Sequence, residues 1–547
     1  MNTISKFNPS VPIVFVNPYF NMSFDLIRKV VELGGIGVID HVTAGPARFD
    51  PDSSTPYGVR IHLNDPMLHS GNNRIGLAII PLEDCDSLES IKDHAFSNLS
   101  VPILAEVGCI DHVKHAERVG AQGLIVRGNE GPGWVSRIHG FVLLQQVLDV
   151  SELPVFLQGG VGPCTAAGAI RAGASGIVLD YHLLLTDESA IDSELKNFLS
   201  SLNLPGSTIL NDISGHSFRS YSRIGTKKIR ELKKIEESLA VDESAQYQRL
   251  ISTQIGYPTA KPDGDDAIFP FSEDLTISRI LLQKCRSVSD VIAVFGNAMK
   301  LCSDTWPFVE GSSLCHEHGV RFPVVQGPMA HVSDNADFLR AVADGGGLPF
   351  LALGNMPGPI AQETLEQARE KNGSRFGVGL IGLEVNRGRY EAHLEIMRAN
   401  PPKFAILAAG GPELALVIEG IGTCCYLHCP SPGILSEALK AGLKRFVFEG
   451  GESGGHIGNL SSLNLWNANL NQLEEAHKNG MDLNEVSVLL AGGIGSPRGS
   501  AFIAGMTDHL TEKGLKVGLQ LGTAYLTTEE AVKAKAITDS YLSLIHI

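Results

Sequence analysis

The stretch GGESGGHIG, residues 450–458, sets five glycines around one glutamate, one serine and one histidine, directly after the run Arg445-Phe446-Val447-Phe448. Backbone with so little side-chain bulk lets a flat ligand approach closely. His456 is the loop's one group that titrates near neutral pH, which makes it a candidate general base; held in a helix cap it would be structural instead. Glu452 is expected to orient the loop by accepting its N–H groups. Two further glycine turns, Ala491-Gly492-Gly493-Ile494 and Gly522-Thr523-Ala524, stand between apolar runs and helical stretches. Such turns bring backbone N–H groups to a phosphate, and a following helix adds its dipole. Thr523 adds a hydroxyl donor. A fourth loop, Gln326-Gly327-Pro328-Met329, follows the run at 323–326. Singly, each loop reads as a tight strand-to-helix turn. Together, in chain order, they favour a phosphate-bearing cofactor.

The elements that must position these loops occur twice. Residues 11–40 parallel 322–353, residues 101–134 parallel 423–456, and residues 153–180 parallel 487–506 followed by 517–526. In the second copy, strands are expected at 323–326, 348–353, 376–381, 404–407, 423–427, 445–448, 487–491 and 517–521. Helices lie between them, closing on glycine as at Ala441-Gly442. Eight strand–helix units predict a (β/α)₈ barrel, with an open doubly wound sheet as the alternative. The fold expected is therefore α/β: two tandem TIM-type barrels. The first is irregular, with one unit reduced to SLESIKDHAFSN, and a small helical segment joins the two. The expected domains are 1–195, a degenerate first barrel; 196–315, a helical linker; and 316–547, the cofactor-binding barrel.

A chain of 547 residues exceeds a single core. Its net charge of −16 disfavours nucleic acid or an anionic membrane as the main partner. No apolar run reaches the ~20 residues that span a bilayer, and the N-terminus lacks the pattern of a signal peptide. Nine cysteines, an odd number without metal-ligand spacing, suit reduced thiols in a cytoplasmic protein. No metal site is expected.

QGPM, ESGGHIG, AGGI and LGTAYL together resemble the flavin-dependent nitronate monooxygenase family, once called 2-nitropropane dioxygenases. The resemblance covers about 320–547. Within the family it is nearest to the branch found beside or inside bacterial polyketide and polyunsaturated fatty acid synthases, whose members are proposed as enoyl reductases. It implies FMN, with its phosphate on the loops at Gly492-Gly493 and Gly522-Thr523. The isoalloxazine would lie over Gly327, Pro328 and Met329 and near His456, which would match the family's base; Gln326, Gly454 and Gly455 are further cofactor-binding candidates. Two departures stand out. Gly379 or Leu380 occupies the strand-3 position where the family often has asparagine. The sequence also stops at SYLSLIHI where members continue, which suggests a truncated chain or a piece of a longer synthase.

The first copy has Trp134 for His456, Val16-Asn17 for Gln326-Gly327 and Leu179-Asp180 for Gly522-Thr523. A carboxylate at the last position repels phosphate, so a barrel without base or flavin, serving structure or docking, is expected. Three functions follow for the whole chain. The first is FMN-dependent oxidation of nitronates or nitroalkanes with oxygen. The second is NAD(P)H-driven reduction of an enoyl thioester, with an acyl carrier protein or other synthase domains as partner. The third is a non-catalytic docking scaffold.

Overall fold

A computed structural model describes residues 10–21, 23–42, 54–62, 65, 74–82, 101–202, 206–211, 216–222, 226–239, 243–256, 267–300, 306–455 and 457–538. The chain divides into two compact units, Met1–Cys302 and Ser303–Ile547.

In the first unit, short β-branched runs form β1 (Ile13–Asn17), β2 (Ile36–Asp40), β3 (Tyr57–Arg60), β4 (Ile75–Ile80), β5 (Ile103–Val107), β6 (Gly123–Arg127), β7 (Gly133–Ser136), β8 (Val155–Gln158), β9 (Gly176–Leu179), β10 (Ser207–Leu210) and β11 (His216–Tyr221). Strands β1-β2-β3-β4-β5-β6-β8-β9 close into a parallel barrel. Val14, Val38, Leu77, Leu104, Ile125, Phe156 and Val178 fill its interior, as expected for strands buried on both faces. The strand count is thus complete: β4 supplies the unit expected to be reduced. Among the described residues of this barrel, register shifts between Tyr57 and Gly58. The segment SLESIKDHAFSN itself, 87–98, lies outside the described residues.

The expected linker, 196–315, falls mainly within this first unit and is not purely helical. Its hairpin β10–β11 pairs with β7 in a three-stranded sheet. Trp134 on β7 is the anchor. It lies in the β11 register opposite Phe218, their rings meet edge-on at 5.1 Å, and both join a cluster with Leu232, Tyr247 and Ile251. An edge-to-face aromatic pair adds ~0.5–1.5 kcal/mol beyond its buried area. The tryptophan that replaces His456 in the repeat therefore holds the inserted segment to its barrel.

In the second unit β12 (Val324–Gln326), β13 (Leu348–Ala352), β14 (Gly377–Ile381), β15 (Phe404–Ala408), β16 (Cys424–His428), β17 (Arg445–Glu449), β18 (Ser487–Ala491) and β19 (Lys516–Leu521) close into a parallel barrel in chain order. Every strand lies within one or two residues of its expected span. The helix Pro432–Lys440 ends at Ala441 with Gly442 at φ 85°, the left-handed C-terminal turn that glycine permits. At the lower end of the barrel Glu317 joins Arg445 (2.9 Å), Lys516 (2.7 Å) and Ser487 (2.9 Å), tying β17, β18 and β19 together. Among the described residues Cys109, Cys164, Cys285, Cys315, Cys424, Cys425 and Cys429 are unbridged, and no helix is long and apolar enough to cross a membrane.

Candidate active site at the mouth of the second barrel

The two barrels share one register, so their mouths can be read position against position. The Pro12 carbonyl accepts from Ile177 N–H and the Pro323 carbonyl from Leu519 N–H, both at 3.0 Å. Asp40 is opposite Arg60 as Ala352 is opposite Gly379. Arg127 is opposite Gln158 as Glu449 is opposite Ala491. This register sets Asp180 at the place of Gly522, and Phe15-Val16 at Gln326-Gly327. Each is one residue from the alignment expected from sequence.

The first mouth is filled with charge. Glu106 is fully buried and takes Arg60 bidentately, Nε–Oε1 at 2.8 Å and Nη2–Oε2 at 2.9 Å. Arg127 reaches the same carboxylate at 3.3 Å, and Arg60 also meets Asp40 at 3.3 Å. Burial alone would push the Glu106 carboxyl up; Arg127 and Arg60 outweigh it and hold it below the usual carboxylate range. Removing one partner of a buried pair leaves the others uncompensated, at a cost of ~3–5 kcal/mol. Glu106→Ala is therefore expected to lower first-unit stability by about that amount in urea unfolding. A variant as stable as wild type would contradict the network's role.

The first mouth's glycine turn keeps its backbone form, with Gly159 at φ 91° and Gly160 at φ 70° against 116° and 68° for Gly492 and Gly493. Carboxyl groups occupy it. Gly160 N–H donates to Asp274 Oδ1 at 2.6 Å, and Asp180 accepts from Tyr181 N–H. Burial, with the charge of Asp180, pushes the Asp274 carboxyl well above its usual range. A cavity of ≈ 220 Å³ remains at this mouth, lined by Asp40, Arg60, Arg127, Gln158 and Asp180 together with Trp134.

The second mouth is cleared. Where the first barrel has Asp40, Arg60 and Gln158, it has Ala352, Gly379 and Ala491. A Cβ on Gly379 would stand 2.2 Å from Pro328 Cβ. The asparagine expected by family likeness cannot fit there while Pro328 keeps its place. Gln326 is fully buried and accepts from Phe350 N–H at 3.3 Å. Gly327 N–H donates to Leu521 O at 3.0 Å, and Met329 N–H to Ser333 Oγ at 2.7 Å. Met329 Sδ lies 3.7 Å from where a Cβ on Gly522 would be. The strand-1 and strand-8 loops therefore meet.

Glu452 accepts from Ser462 N–H at 2.7 Å and Oγ–H at 2.6 Å, fixing the loop to the start of helix Ser462–Lys478. Its counterpart Glu130 accepts from Gly140 N–H at 3.0 Å. Gly450 admits no side chain, since its Cβ would meet Ser462 N at 2.4 Å; Gly492 is closed in by Ser462 Oγ and Ser453 Oγ. Gly493 leads toward helix Pro497–Thr511, and Thr523 opens the short helix Thr523–Leu526 after Gly522. Gly454 and Gly455 are exposed, Gly455 at φ 92°. His456 itself lies outside the described residues. The loops after β12, β17, β18 and β19 thus gather at one end of the barrel, where a (β/α)₈ fold carries its chemistry.

Sequence reading passed over one pair. His428 ends β16 and Glu449 ends β17, with Nε2 and Oε2 3.1 Å apart. Burial pushes the Glu449 carboxyl up to about 7, with Ser453 opposing. The repeat carried the signal: His428 and Glu449 align with Glu106 and Arg127, two positions of complementary polarity in both copies.

Among known proteins, residues 85–260 match the family model described as nitronate monooxygenase. This stretch lies in the first unit, whereas the motif likeness is carried by 320–547. A (3aS,4S,5R,7aS)-5-hydroxy-7a-methyl-1-oxo-octahydro-1H-indene-4-carboxyl-CoA dehydrogenase of Rhodococcus jostii is 24% identical over 210 residues, 36% of this chain. Its Mycobacterium tuberculosis counterpart is 22% identical over 213 residues, also 36% of this chain. The chain spans 58% of the length of each of these relatives. Among solved structures, FabK from Thermotoga maritima is 17% identical with a TM-score of 0.42, covering 54% of this chain and 96% of that one. Over residues 85–260 the chain is therefore similar to the nitronate monooxygenase family.

Proposed function

We propose that the second barrel binds FMN and is an oxidoreductase site acting on nitronates or nitroalkanes with oxygen. Gly492-Gly493 and Gly522-Thr523 hold the phosphate. Gln326, Gly327, Pro328 and Met329 lie under the ring, Gly454 and Gly455 border it, and His456 is the base. The observation that carries this reading is the cleared floor, Ala352, Gly379 and Ala491, against the charge-filled floor of the first barrel. Bound FMN would supply the electron-transfer chemistry. The chain's own residues bind and orient: the glycine turns present backbone N–H groups to phosphate, and Glu452 fixes the His456 loop. His456 takes the proton from a neutral nitroalkane carbon. In the first barrel Asp180 and Asp274 occupy the corresponding turns, which supports one flavin per chain.

A second reading has one observation in its favour: both curated relatives are named for a CoA-thioester substrate. It makes the same site an enoyl-thioester reductase using NAD(P)H, with an acyl carrier protein or other synthase domain as partner. A cytoplasmic setting accords with the unbridged cysteines under either reading. Anaerobic mixing separates the two. An alkyl nitronate is expected to bleach the flavin absorbance while NAD(P)H does little. Bleaching by NAD(P)H with recovery on a 2-enoyl thioester would establish the second reading, and no response to either would favour a docking scaffold.

A further inference from the structure

We propose that the mouth of the first barrel is a binding site for a small organic ammonium ion. The inference stands apart from the flavin reading of the second barrel, since every group it uses lies in the first unit. The cavity there, ≈ 220 Å³, is smaller than the ~300–1,000 Å³ of sites for drug-sized ligands, so its occupant is small.

One residue decides its charge. Arg60 and Arg127 both line the cavity, but Glu106 takes both of them and Asp40 takes Arg60 as well. Two cations thus face two carboxylates, and Asp180 is left over. It also lines the cavity, is 2% exposed, and accepts from Tyr181 N–H and, at 3.4 Å, from Gln158 Nε2. The basic group beside it is His182, with Nδ1 3.8 Å from Asp180 Oδ1. That ring is neutral by its bonding. Nδ1 accepts from Asp180 N–H at 3.3 Å, so the proton is on Nε2, which donates to Val161 O at 2.6 Å. Burial lowers its affinity for a second proton. Asp274, the next carboxyl group, adds no positive charge in either protonation state. Among the described residues, Asp180 therefore keeps a buried negative charge without a cation, which is costly unless a ligand supplies one.

Gln158 points the same way independently. It lines the same cavity, is 1% exposed, and turns Nε2 to Asp180, which leaves Oε1 enclosed without a partner. A buried acceptor without a donor is uncommon and destabilising. An ammonium group carries N–H donors and no acceptor, so one group can serve Asp180 and Gln158 Oε1 together. A metal ion suits the place less, because both ring nitrogens of His182 are committed. The walls are aromatic: Tyr19, Trp134, Tyr181 and Phe218. The Tyr181 hydroxyl donates to Pro270 O at 2.6 Å and the Tyr19 hydroxyl to Gly256 O, so rings rather than hydroxyls are left for the occupant. Aromatic rings attract cations. The second copy has Gly522 for Asp180, Ala491 for Gln158 and His456 for Trp134, so these features are particular to the first barrel. The carboxylate that repels phosphate there is the one that holds the ammonium.

Isothermal titration calorimetry of the full chain with n-butylammonium chloride tests this, at ~0.15 M salt to screen the net charge of −16. Saturable binding is expected, and n-butanol, the neutral isostere, should give none. Asp180→Asn keeps an acceptor for Tyr181 N–H and removes the charge; it is expected to weaken binding ~10–100-fold. Gln158→Leu keeps the charge and removes the unpartnered oxygen, and should weaken binding ~10-fold. Circular dichroism shows which variants keep the wild-type fold, and either one that does carries the test. No binding by the wild type, equal binding of n-butanol, or a folded variant that binds the amine as well as wild type overturns the proposal. Displacement of the amine by Mg²⁺ at lower concentration would make this a metal site and likewise overturn it. A chain that binds the amine but no FMN overturns only the flavin reading of the second barrel.

Discussion

The His456→Ala variant is expected to keep its FMN and to turn over a neutral nitroalkane ~10²–10⁴-fold more slowly, about 3–5 kcal/mol of barrier. Two separate sets of groups are involved. Phosphate affinity comes from the turns after β18 and β19, which the substitution leaves alone. Proton transfer comes from the imidazole. The loop that carries it is anchored independently, through Glu452 to Ser462 and through Gly450 packed against the Ser462 backbone. Removing the ring should therefore not release the loop. A preformed nitronate has already lost its proton, and its turnover should fall much less. The ratio of the two rates, measured on one preparation, separates loss of the base from general damage. Loss of flavin from the variant, or undiminished turnover of both substrates, would contradict the assignment.

Much of this architecture was legible in the residues. The apolar runs marked all eight strands of the second barrel because strands buried on both faces read as continuous hydrophobic stretches. The glycine turns marked the upper face because few other residues tolerate their backbone angles, as at Gly492 and Gly493. Glu452 was expected to accept N–H groups of its own loop, and it takes instead the N–H and hydroxyl of Ser462 at the start of the next helix. What stayed hidden depended on pairing across distance. β4 was missed because the first copy's repeat is weak there. Residues 196–315 read as a helical linker, yet β10 pairs with β11, and β11 finds its other partner in β7, far earlier in the chain. His428 and Glu449 are 21 positions apart, and only closure of the barrel brings their side chains to 3.1 Å. Asp274 is likewise far in sequence from the Gly160 amide that it fills.

Gly522→Asp is expected to produce the opposite phenotype to His456→Ala: a folded chain without flavin. Gly522 has φ −117° and ψ −84°, and Asp180 holds the same position in the first barrel at φ −132° and ψ −80°. Aspartate thus fits the backbone. Among the described residues, only Met329 Sδ, at 3.7 Å, lies within contact distance of the added Cβ. The expected loss is electrostatic, a carboxylate placed where two phosphate charges would sit. At a few ångströms in a partly buried site such a pair repels by several kcal/mol, enough to weaken binding by ~10³-fold or more. Gly522→Ala, which adds bulk without charge, should retain FMN. If both variants lose it equally, the effect is steric and the phosphate assignment fails.

The most direct test of the account is the flavin-to-protein ratio of the wild-type chain, measured by releasing the flavin and reading its absorbance against protein concentration, alongside Gly522→Asp. One FMN per wild-type chain and none in the variant is the predicted result. Two per chain, or one that persists in Gly522→Asp, would place flavin in the charge-filled first barrel and contradict it.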